Sequence, residues 1–103
     1  MTQRKQPVPE KTSGPERQAA SDGPFRIFIH NDDVTPMDFV VHILVDVFLL
    51  PVINAEQVTY SAHLNGRAYV QTLPGDEARR RIGRACFAAR LRRFPLQFTM
   101  EPE

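Results

Sequence analysis

The stretch from Phe25 to Leu49 constrains the fold more than any other part of the chain. Residues 25–30, Phe25-Arg26-Ile27-Phe28-Ile29-His30, are rich in aromatic and β-branched types and follow a Gly-Pro boundary, which predicts a strand. After a short turn, Met37, Val40, Val41, Leu44, Val47 and Phe48 recur at helical spacing. Phe39, Ile43 and Val45 widen that stripe until most of the helix circumference is apolar. Such a helix has to be central to its domain or roofed by other elements. Thr35 is a good N-cap, Pro36 suits the first helical position and Asp38 stands three residues after the cap, so the helix is expected over Pro36–Leu49.

What can cover that helix follows from the rest of the chain, whose 103 residues allow one small domain. Leu49-Leu50-Pro51-Val52-Ile53 ends the first helix in an apolar connection. Asn54 is expected to cap a second helix that closes at Gly66, where a C-terminal glycine is natural. Arg67–Leu73 alternates as a second strand, and Pro74-Gly75 turns the chain. Asp76 is expected to cap a third helix over residues 77–93, with Ile82, Ala85, Cys86, Ala89 and Leu91 on its buried side. Its acids come first and its arginines last, which complements the helix dipole. Leu96–Met100 reads as a final strand. The order β-α-α-β-α-β predicts an α+β fold, a three-stranded antiparallel sheet with three helices packed on one face.

Residues 1–24 hold four prolines and two glycines, and only Met1, Val8, Ala19 and Ala20 are apolar, so they read as a disordered tail before a core domain at 25–103. The tail has no apolar h-region, and the longest apolar stretch is broken by His42, Asp46 and Pro51, so neither a signal peptide nor a membrane span is expected. The single Cys86 excludes an internal disulfide and suits a cytoplasmic protein. Charge is polarised: residues 25–73 carry two bases and five acids, residues 74–103 seven bases and four acids. That asymmetry suits docking rather than coating of nucleic acid. No nucleophile is paired with a base in a recognisable arrangement, which argues against an enzyme. The turn Asn31-Asp32-Asp33 is built to receive positive charge, whether a metal, a basic surface or an amine. His30, Asp32, Asp33 and His63 match no compact metal motif.

Three blocks carry a family resemblance: Asn31-Asp32-Asp33-x-Thr35-Pro36-Met37-Asp38-Phe39-Val40, His63-x-x-Gly66-Arg67-Ala68 and Pro95-Leu96-x-x-Thr99-Met100-Glu101. Together they resemble ClpS, the adaptor of the bacterial Clp protease, over residues 25–103. The resemblance implies an adaptor, without cofactor, that holds N-degron proteins by a bulky hydrophobic first residue and delivers them to the ClpA unfoldase. It implies that Asn31, Asp33 and His63 accept the three N–H bonds of the substrate α-ammonium, with Asp32 near the following backbone. It places Thr35, Met37, Val40, Thr59, Ala62 and Leu96 around the first side chain. Asp76 and Arg81 match positions that contact the ClpA N-terminal domain. Binding should weaken in acid as His63 takes up a proton and stops accepting.

This chain departs from the family at Thr59, where a longer apolar residue is usual, and at Ala62, where Val is frequent. A wider and slightly more polar pocket is therefore expected, with altered first-residue selectivity. Arg79-Arg80-Arg81 replaces a mixed-charge pattern. A monomer is expected, although Val45 and residues 49–53 are apolar for one. The competing reading is a regulator of the Clp machinery on the same fold, with weak or altered N-terminal-residue specificity.

Overall fold

The structure, a computed structural model, describes residues 23–103. The tail expected at the N-terminus lies almost wholly outside the described residues. Six elements follow in the order anticipated: β1 (Pro24–His30), α1 (Met37–Asp46), α2 (Val52–Asn65), β2 (Arg67–Pro74), α3 (Gly75–Leu91) and β3 (Gln97–Pro102). The strands form one antiparallel sheet in the order β2-β1-β3, with β1 in the centre. Ile27 and Ile29 point to one face and are buried, together with Ala68 and Val70 of β2 and Phe98 of β3. The helices cover that face. Arg67, Tyr69 and Thr99 are exposed on the other, the alternation expected of a sheet wetted on one side.

The bulk of the core comes from β1 and α1. Phe48, Ile27, Ile29 and Leu44 are its largest fully buried side chains, each worth about 1.5–3 kcal/mol of burial. Phe48 stacks at a tilt on Phe98 of β3, 4.9 Å between centroids. By contrast α2 buries Ala55, Thr59 and Ala62, and α3 buries Ala78, Ala85 and Ala89. These small side chains let both helices lie close to their neighbours, so α1 is roofed as its apolar circumference requires.

The helix ends depart from expectation for one physical reason. Pro36, Pro51 and Pro74 occupy the N-cap positions of α1, α2 and α3, with φ between −57° and −65° and extended ψ, and none makes a side-chain cap bond. A proline gives up no useful N–H there and fixes the entry dihedral. Thr35, Asn54 and Asp76 are therefore not the caps: Thr35 lies outside α1, Asn54 is inside α2, and Asp76 is in the first turn of α3. Helix α1 also stops at Asp46 rather than Leu49, and Leu49 takes a left-handed φ of 61° as the chain turns away. Met37 and Leu91, expected in the core, are 43% and 69% exposed because they stand at the ends of their helices. Among the described residues no helix is long and apolar enough to cross a membrane.

Candidate functional site

The turn that leaves β1 is held by its own hydrogen bonds. The Asn31 N–H donates to the Gly66 carbonyl (2.9 Å), joining the turn to the end of α2. Gly66 has a φ of 90°, a conformation that glycine adopts without a side-chain penalty. Asp32 Oδ1 accepts the N–H groups of Val34 (2.8 Å) and Thr35 (2.7 Å), and Oδ2 accepts the Thr35 hydroxyl (2.9 Å). Burial pushes the Asp32 carboxyl up, but those three bonds outweigh it and hold the group below the usual carboxylate range. The Thr35 hydroxyl thus serves the turn rather than the helix.

A cavity opens behind this turn. Asn31, Asp32 and Thr35 form its polar side; Met37 and Val40 of α1, Thr59 and Ala62 of α2 and Leu96 close it. All six side chains expected around a first residue therefore line this one cavity. Its volume is about 20 Å³, room for little more than a water molecule. The wide pocket expected from Thr59 and Ala62 is not open in this conformation, since small side chains on α2 allow close approach instead of leaving a void. Nor is the Thr59 hydroxyl free to donate to a ligand, because it donates to the Ala55 carbonyl at 2.8 Å.

Asp33 and His63 do not form part of the cavity wall. Both are exposed, Asp33 in the turn and His63 three residues before Gly66 in the last turn of α2. Among the described residues the side chains of Asn31, Asp33 and His63 make no hydrogen bond, and of the three only Asn31 lines the cavity. Ile29 and His30 also line the cavity and were not expected there. The signal for Ile29 was its inward parity at the end of β1. His30 Nε2 lies 2.8 Å from Thr99 Oγ1, and no three His, Cys, Asp or Glu side chains among the described residues gather as a metal site.

The two residues expected to dock a partner differ in setting. Asp76 is exposed and pairs with Arg79 at 3.0 Å. Arg81 is half-buried: its Nε donates to Glu77 (2.6 Å), and one terminal nitrogen reaches the Phe48 carbonyl (3.3 Å). Glu77 also pairs with Arg80, and the bonds from Arg81 and Arg80 lower its carboxyl below the usual range.

Comparison with known proteins adds independent findings. The family model described as ATP-dependent Clp protease adaptor protein ClpS matches residues 20–99. An ATP-dependent Clp protease adapter protein ClpS from Acetivibrio thermocellus is 38% identical over 79 residues, covering 77% of this chain and 80% of the relative. One from Clostridium acetobutylicum is 36% identical over 76 residues, 74% of this chain and 75% of the relative. Among solved structures, Agrobacterium tumefaciens ClpS2 bound to L-phenylalaninamide superposes with a TM-score of 0.76 at 33% identity, covering 80% of this chain and 99% of that one.

Proposed function

Because the chain belongs to the ClpS family of ATP-dependent Clp protease adaptors, we propose that it captures proteins by an unblocked, bulky hydrophobic first residue. It then presents them, in the cytoplasm and as a monomer, to a ClpA-type unfoldase. The observation that carries this reading is the junction of an apolar-walled cavity with Asn31, whose side chain makes no hydrogen bond among the described residues. An α-ammonium has three donors and no acceptor. The Asn31 carbonyl oxygen, the Asp33 carboxylate and a neutral His63 nitrogen together match the three donors of such a group, while an internal peptide N–H would satisfy one of them at most.

The chemistry of the relative's ligand agrees, since L-phenylalaninamide joins a free α-amine to an aromatic side chain. Each charge-assisted bond contributes about 1.5–3 kcal/mol, and burial of a Leu or Phe side chain about as much again. Seating that side chain requires the wall to move. Met37 is the side chain best suited to give way, being unbranched and exposed at the rim.

The test is a fluorescence titration with Leu- and Phe-first peptides, free and N-acetylated. Free peptides should bind at least about tenfold more tightly, the loss expected for one charge-assisted bond; equal affinity would sink the proposal. The narrow cavity favours one second reading, an adaptor-fold regulator that engages the unfoldase without seating a side chain. It predicts unfoldase binding and no response to any first residue.

A further inference from the structure

A second and larger hollow, about 350 Å³, is lined by Pro36, Asp38, Phe39, His42, Arg92 and Phe94. It shares no lining residue with the first cavity, and Asp38, Phe39 and His42 stand on the side of α1 turned away from Met37 and Val40. Phe39 and Phe94 meet edge to face with centroids 4.9 Å apart, and the Arg92 guanidinium sits 5.5 Å from one ring and 5.7 Å from the other. Arg93, at a φ of 62°, turns the chain so that Phe94 reaches Phe39; its amide and that of Phe94 close on the Arg90 and Ala89 carbonyls. Two opposite charges thus border one hollow without meeting. Among the described residues Asp38 accepts a hydrogen bond from the Phe39 amide alone (2.9 Å), and Arg92 makes neither a hydrogen bond nor an ion pair.

We propose that this hollow binds a free aromatic α-amino acid in its zwitterionic form, at a site separate from the one that takes a protein's first residue. The argument is electrostatic and geometric. An anion would be drawn by Arg92 and repelled by Asp38, and a cation would meet the reverse. A dipolar ion satisfies both: its carboxylate accepts from the Arg92 fork and its ammonium donates to the unspent Asp38 oxygen. In a free amino acid both groups hang on one carbon, so one small molecule spans the gap that the two side chains leave open. A peptide end brings only one of the two charges. The ligand's ring lies against Phe39 and Phe94, where aromatic edges and faces are both on offer. The hollow falls within the range of sites that hold small ligands. Because its charged groups are wet, a Kd of about 1 mM is expected.

The experiment follows the backbone amide resonances of Phe39, His42 and Phe94 in the full chain by NMR as ligands are added at neutral pH. L-Phenylalanine should shift all three. L-Phenylalaninamide lacks the carboxylate, hydrocinnamate the ammonium and glycine the ring, and each should bind there at least about tenfold more weakly. The amide is the ligand of the relative above, so the resonances of Asn31, Thr59 and Ala62 report the first cavity separately. Arg92→Gln should weaken L-phenylalanine at the hollow about tenfold and leave the amide's effect on Asn31, Thr59 and Ala62 unaltered. Asp38→Asn removes the repulsion that excludes an anion, so hydrocinnamate should then bind at least as tightly as L-phenylalanine. Equal affinity of L-phenylalanine and its amide at the hollow overturns the proposal, as does an unmoved affinity in Arg92→Gln. So does the absence of any shift at Phe39, His42 and Phe94 up to about 10 mM L-phenylalanine.

Discussion

Asp32 shows how one side chain can build a site. Three hydrogen bonds from Val34 and Thr35 converge on its carboxylate. Its carboxyl is held below the usual range in the folded chain, so the stability it contributes is present above the unfolded value and disappears as pH falls through the folded one. Asp32→Asn should therefore cost about 1–2 kcal/mol at pH 7, and the gap to the native chain should close below about pH 4. Urea unfolding at a series of pH values measures this; two parallel stability curves would show that the carboxylate charge is not what holds the turn. Thr59 supports a second expectation at this scale. Buried and bonded to the Ala55 carbonyl, it offers the cavity a short side chain with no free donor. Ile-first peptides should bind within about tenfold of Leu-first ones, and Thr59→Met should widen that gap by about tenfold or more. Rejection of Ile by the native chain would rule out a role for Thr59 in selectivity.

The helices and strands show where sequence and structure part. Every element was located, α1 by its helical periodicity and the others by residue type, alternation and the turn and cap residues between them. The ends were less legible. Polar cap candidates at Thr35, Asn54 and Asp76 competed with adjacent prolines, and the prolines prevailed because their φ is covalently fixed. The close of α3 was hidden for another reason: its C-terminal motif uses Arg93 where glycine is the usual residue. A non-glycine residue in that conformation costs about 1–2 kcal/mol. Arg93→Gly should then stabilise the chain by about 0.5–1 kcal/mol after the added freedom of the unfolded state is counted. Thermal unfolding reads this directly, and a lower midpoint would mean that the Arg93 side chain makes contacts worth more than the strain.

At the scale of the molecule, the cavity was legible only in part. Its apolar wall is drawn from α1, α2 and the segment before β3, and it was foreseen by resemblance rather than by pattern. Ile29 and His30 were missed because inward parity in a strand tells that a side chain faces the core and not that it borders a hollow. Its volume could not be read either, since Thr59 and Ala62 fix side-chain size and not helix spacing. The charged surface of α3 raises a related question, because ion pairs within the helix compete with any docking role. Arg81 is the poorer probe, as its removal also strips the Phe48 carbonyl and Glu77 of a donor. Asp76 is the better one: it is exposed, and Asp76→Ala leaves the bonds from Arg81 to Glu77 and to the Phe48 carbonyl in place. If Asp76 contacts the unfoldase, the same variant should weaken binding to the ClpA N-terminal domain severalfold in calorimetry. Unchanged affinity would remove Asp76 from that interface.

The bond from the Asn31 amide to the Gly66 carbonyl has a consequence for how such a protein can diversify. Both atoms belong to the main chain, so no side-chain replacement short of proline at position 31 deletes either of them. The span between the turn that bears Asn31 and the helix end that bears His63 is thereby inherited with the fold. Mutational drift can retune what the cavity accepts while the main-chain tie between that turn and that helix end keeps its setting.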